Sequence, residues 1–105
     1  MQLWDIAQLA DSQDESWQEF LRVPAMSMGV YKLPAGGVDT QSPHTEDEAY
    51  YVVSGRAMVE VDGETQPATP GAVIFVPAHI DHRFKDITED LTLLVFFAPA
   101  EGSQG

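Results

Sequence analysis

Three residues of this chain, His44, Glu48 and His82, have the side-chain types that hold a divalent cation. Two imidazole nitrogens and one carboxylate suit a hard-to-borderline ion and leave coordination positions for water, oxygen or a substrate. The ligand types do not rank Fe(II), Mn, Ni, Zn and Cu. On one straight strand His44 and Glu48 would lie about 13 Å apart, at about 3.3 Å per residue, too far to share an ion. The intervening Thr45-Glu46-Asp47 is polar and turn-compatible. The chain is therefore expected to reverse there, with His44 ending one strand and Glu48 opening its neighbour, roughly 5 Å away across the ladder. From Glu48 the inward positions would be Tyr50 and Val52, with Tyr51 and Val53 on the opposite face. His82 would open a later strand that carries Phe84 and Asp86 on its own face, so that the three side chains meet inside a barrel mouth.

The plainer reading of the same three residues is a buried polar network with every member hydrogen-bonded. Glu46 and Asp47 solvate the turn, or their crowding near Glu48 raises a carboxyl pKa and makes Glu46 a general acid or base. Tyr50 either packs a wall or donates a proton to a substrate. His79, an odd number of residues from His82, is a surface loop residue, or serves at the rim as a fourth ligand or proton shuttle. Arg56, Arg83 and Lys85 are solvated, unless one faces the mouth and pairs with a substrate carboxylate.

These residues need strands to position them, and the chain supplies short ones. With 105 residues it is one domain, and 44% hydrophobic with 21% charged is a globular composition. From Met26 onward apolar and polar residues alternate between turn signals: 26–33, 38–44, 49–54, 56–62, 64–68, 72–76, 82–85 and 91–98 read as strands. Asp62-Gly63 marks a hairpin, because both positions tolerate positive φ. Phe75, Phe84, Phe96, Phe97, Val59 and Leu93 are the expected core. So many short strands in so small a chain imply an all-β closed barrel or double-sheet jelly roll. Residues 1–25 read differently. Leu3, Ile6, Leu9 and Ala10 recur at helical spacing, as do Trp17, Phe20 and Leu21, with Ser12 or Asp14 as N-cap for a second helix. This helical segment would pack on the barrel of residues 26–100 or on a partner subunit, with Trp4, Trp17 and Phe20 as interface anchors. Residues 101–105 form a frayed tail.

Charge narrows the partners. Seventeen acidic residues against five basic ones leave −12, which disfavours nucleic acid and anionic membranes. The absence of cysteine excludes disulfides and thiolate chemistry. No apolar run approaches the roughly 20 residues of a membrane span, and no signal-peptide pattern opens the chain. A cytoplasmic protein is the expectation.

The spacing resembles the cupins. Gly36, five residues, Ser42-Pro43-His44, three residues, Glu48, six residues and Gly55 match the offsets of that family's first motif, with Ser42 in place of its first histidine. Gly71, five residues, Pro77, His79, two residues, His82, three residues and Asp86 match the second, with His79 in its glycine position and Asp86 in its asparagine position. The resemblance covers roughly residues 26–98. It implies a jelly-roll barrel that pairs as a homodimer, with the metal on His44, Glu48 and His82, and three protein ligands instead of four. Ser42 then either frees a position for a bidentate substrate or marks weakened metal affinity.

Three functions follow as expectations. The first is a mononuclear metal-dependent oxygenase (dioxygenase-like) or isomerase acting on a small polar organic molecule, with Tyr50 or Glu46 moving protons. The second is a non-catalytic small-molecule or metal-binding module. The third is a metal-free isomerase using a His82–Asp86 acid–base pair.

Overall fold

The computed structural model describes residues 1–103. One helix, α1 (Ile6–Ser12), precedes six strands: β1 (Trp17–Val23), β2 (Met26–Leu33), β3 (Asp47–Val61), β4 (Glu64–Ala68), β5 (Val73–Val76) and β6 (His82–Ala98). All pair antiparallel in one rolled sheet of order β1-β2-β6-β3-β4, with β5 added to β3. None of the helices among the described residues is long and apolar enough to cross a membrane.

The helical expectation for residues 1–25 holds only for α1. Asp5 caps it by accepting the Gln8 N–H at 3.1 Å, and the second helix, for which Ser12 or Asp14 was the expected N-cap, does not form. Residues 17–23 are a strand. Its register with β2 shifts between Glu19 and Leu21, so Phe20 and Leu21 are both half-buried beside Trp17. A bulge in a strand thereby imitates helical spacing. Trp17 lies edge-on to Tyr31 and Phe97 at 6.4 and 6.1 Å within this same chain. Its ring covers Gly29, where any Cβ would collide with it.

The strand list also changes. Residues 38–44 form no strand and instead fold as a loop around the buried Asp39. The segments 49–54 and 56–62 join as β3, and 82–85 and 91–98 join as β6, each running through a kink. On β3 the buried positions are Glu48, Tyr50 and Val52, then Ala57 and Val59; the parity flips at Gly55. On β6 they are His82 and Phe84, then Ile87, Leu91, Leu93, Val95 and Phe97; the parity flips at Asp86, whose φ is 49°. Asp86 is consequently exposed and does not share the inner face with His82 and Phe84. Each flip is an extra residue in one strand, which keeps apolar side chains inward while the strand bends. The Asp62-Gly63 hairpin forms as expected, with φ of 51° and 83°.

Phe84, Phe97, Val59 and Leu93 are core, whereas Phe96 is half-buried and Phe75 is exposed beside Tyr51 and Val73. The expected frayed tail is anchored over its described part. The Glu101 N–H donates to Ser27 Oγ at 2.9 Å, Arg22 Nη2 donates to the Glu101 carbonyl at 2.6 Å, and the Gly102 N–H donates to Glu46 Oε2 at 3.1 Å. Residues 104 and 105 lie outside the described residues.

Gly55 has a φ of 95°, and an added Cβ would collide with the Asp90 carbonyl oxygen. Gly55→Ala is expected to destabilise the fold by about 3 kcal/mol or more in urea titration. Gly63→Ala, at φ 83° with open space around it, is expected to lose only about 1 kcal/mol.

Candidate metal centre

His82 pairs with Val61 on β3, while Glu48 lies thirteen residues back along the same strand. On a flat sheet those positions would be about 43 Å apart, at about 3.3 Å per residue. The roll brings His82 Nε2 to 3.1 Å from Glu48 Oε1. His44 arrives from the loop instead of from a strand end, and places Nε2 3.9 Å from the same carboxylate oxygen. Its backbone is held by the His79 N–H, which donates to the His44 carbonyl at 2.7 Å. His79 itself is exposed, with a φ of 67°, so it occupies the motif's glycine position in the conformation a glycine would favour. Its contribution comes from the backbone.

The three side chains offer one ligand atom each, all within 4.8 Å of one another. The tautomer of His82 follows from its surroundings. Its Nδ1 lies 2.9 Å from the Ile80 carbonyl, which can only accept, so Nδ1 carries the proton and Nε2 presents a lone pair. In this tautomer His82 Nε2 and Glu48 Oε1 face each other as two acceptors, so their 3.1 Å approach is no hydrogen bond. His44 Nε2, both Glu48 oxygens and His82 Nε2 are all buried without a hydrogen-bond partner among the described residues. A satisfied polar network would not leave four such atoms facing one another, because each bears an uncompensated desolvation cost. A divalent cation held by His44, Glu48 and His82 would satisfy all three residues at once.

The centre opens into a cavity of about 210 Å³. Trp17, Tyr31, Val95 and Phe97 wall it, with Gln41, His44, Glu48, Tyr50 and Glu101 supplying polar groups. Tyr50 lies on the inner face with Glu48, as its spacing predicts, and its O–H donates to Gln41 Oε1 at 2.9 Å. Burial, reinforced by the nearby Glu48 carboxylate, pushes the Tyr50 phenol far above its ordinary pKa. Glu46 is elsewhere: buried at 2% exposure, its carboxylate receives the Thr45 hydroxyl and the Gly102 N–H. It ties down the C-terminal turn and does not line the cavity. Ser42 is exposed and also outside the lining.

The acidic side chain that joins Glu48 at the cavity is instead Glu101, whose Oε2 is 3.7 Å from His44 Nδ1. Desolvation raises its pKa, with His44 opposing and the carboxylates of Glu48, Glu46 and Glu19 adding to the rise. Arg56 pairs with Glu89, and Arg83 and Lys85 with Glu60, on the outside; none of the three lines this cavity. Spacing carried no signal for Tyr31, Gln41 or Glu101, whose places depend on the loop and on the turn after β6.

Burial alone would lower the His82 pKa, but Glu48, the Ile80 carbonyl and Asp39 outweigh it and the net shift is upward from 6.5. A histidine raised on folding stabilises the metal-free fold below its unfolded value, and that stabilisation is lost as pH rises through the folded value. Cation and proton compete for Nε2, so metal binding near pH 6.5 is expected to release protons. Calorimetry of Zn(II) binding in two buffers of different ionisation enthalpy should give different heats at that pH. The difference should shrink at alkaline pH; equal heats throughout would contradict the assignment.

Comparison with known proteins gives the fold a family. Residues 29–97 match the family profile described as the cupin domain. An uncharacterized protein of Streptomyces coelicolor is 48% identical over 90 residues, 86% of each chain. Polyketide synthase CurC of Streptomyces cyaneus is 37% identical over 70 residues, 66% of this chain; the match spans only 46% of that relative's length. A Thermus thermophilus crystal structure superposes with a TM-score of 0.77 at 27% identity, covering 95% of this chain and 99% of that one. The rolled sheet, the motif spacing and these matches agree: the chain belongs to the cupin family.

Proposed function

We propose that this cupin holds one divalent cation on His44, Glu48 and His82 and acts on a small, flat, oxygen-bearing organic molecule, as a mononuclear oxygenase or isomerase. The observation that carries the proposal is the set of four unpartnered buried atoms at a cavity walled by aromatic rings. A bound ion would supply Lewis acidity towards ligand oxygens and, if it is iron, a site for dioxygen. The chain's own residues do the rest. His82 is aimed by the Ile80 carbonyl, so its lone pair needs no reorientation when an ion arrives. The edges and faces of Trp17, Tyr31 and Phe97 give a planar ligand a desolvated slot. The net charge of −12 favours cations near the mouth and disfavours free anions. The name of the Streptomyces cyaneus relative supports the same ligand class. Polyketides, as a chemical class, carry carbonyl, enol or phenol oxygens at spacings that chelate a metal.

Metal-depleted protein titrated with Fe(II), Mn, Ni, Zn and Cu is expected to bind one equivalent, and His82→Ala to weaken that binding by at least about a hundredfold. Phenols and β-diketones should then bind the loaded protein and not the depleted one. Oxygen uptake or isomerisation with the Fe(II) form identifies the reaction. Failure to bind metal near stoichiometry, or ligand affinity indifferent to metal, overturns the proposal.

A further inference from the structure

The two phenols of the cavity belong to one hydrogen-bond chain whose direction is fixed from its far end. That end is Asp39, 7% exposed, in the loop before His44. Its carboxylate accepts from the Tyr31 O–H at 2.8 Å, the Phe84 N–H at 2.9 Å, the Gln41 N–H at 3.3 Å and Gln41 Nε2 at 2.8 Å. Two of these donors are backbone N–H groups, which cannot reverse. A carboxylate so surrounded acts only as an acceptor, and four donors use its lone-pair sites. The Gln41 amide must therefore turn its NH₂ to Asp39, which leaves Oε1 for Tyr50. Tyr50 in turn must donate, and it does so at 2.9 Å.

A phenol has one proton. The proton of Tyr31 is committed to Asp39 and that of Tyr50 to Gln41, so each phenol oxygen has only lone pairs left for a ligand. Both side chains line the cavity that the candidate metal centre opens into. We infer that the Asp39–Gln41 chain makes Tyr31 and Tyr50 obligate acceptors, and so selects a polyhydroxylated aromatic whose phenolic O–H groups donate to them while its remaining oxygens face the cation. This inference rests on the metal-centred reading above and adds its substrate class. A ligand offering only carbonyl or ether oxygens at those two positions would set acceptor against acceptor in a desolvated site. Sites built around a ligand hydroxyl discriminate strongly against analogues that lack it.

The test is a matched pair of probes on Zn(II)-loaded protein under nitrogen, which keeps the chemistry redox-silent: pyrogallol and 3-methoxycatechol. Both can chelate through adjacent hydroxyls, and they differ in one donor. Pyrogallol is expected to bind wild-type protein at least about tenfold more tightly. In Tyr31→Phe/Tyr50→Phe, checked for retained Zn(II) stoichiometry and near-ultraviolet circular dichroism, the two should bind within about threefold of each other. Equal or reversed affinities in the wild type overturn the inference while leaving the metal-centred reading intact. A preference that persists in the folded double variant also overturns it. If neither probe binds better with Zn(II) than without, the metal-centred reading fails and this inference falls with it. Should the variant not fold, the wild-type comparison decides alone.

Discussion

Glu48 and the residue opposite His82 are separated by thirteen positions of one strand, yet the two side chains approach to 3.1 Å. The straight-line length of that stretch, about 43 Å, exceeds the longest dimension of the molecule, 35 Å. Only a sheet that rolls can close this distance. Once it has rolled, it confines two imidazoles and a carboxylate in a space from which water is largely excluded. Those groups repel or ignore one another until a positive charge arrives, as a proton on imidazole or as a metal ion. The fold thus creates an electrostatic deficit at one point, one that a bound cation would offset.

The bending depends on two irregularities. An ordinary strand of fifteen or seventeen residues would show the same parity to the core throughout and would stay nearly straight. Here Gly55 and Asp86 each take positive φ and switch the buried parity once. The long strands can then face the core at both ends while changing direction between them. The same device leaves Asp86 in solvent, which removes the His82–Asp86 acid–base pair from consideration as a catalytic unit.

The clustering of His44, Glu48 and His82 was legible because it is local to motif spacing: the three sit at fixed offsets from glycines and a proline that turn or bend the chain. Tyr50 followed from strand parity with Glu48. The hairpin at Asp62-Gly63 was legible from turn chemistry alone. What sequence patterns concealed was of two physical kinds. One is irregularity within regular structure: the register shift after Glu19 made a strand look like a helix, and Gly55 looked like a stop where it is a bend. The other is long-range placement of loop residues. Asp39, Gln41 and Glu101 acquire their roles from partners up to seventy-nine residues away, as in the Arg22–Glu101 contact, and no periodicity encodes such a partner. Glu46, a promising carboxylate by adjacency, is diverted to the C-terminal turn for the same reason.

The aiming of His82 by the Ile80 carbonyl has a consequence for how the centre tolerates change. A main-chain oxygen belongs to the path of the backbone, whichever residue occupies position 80. Exchanging that isoleucine for another side chain leaves the oxygen where it was, whereas inserting or deleting one residue between Pro77 and His82 would rotate the ring off its target. The vulnerability of this centre therefore lies in loop length more than in loop composition.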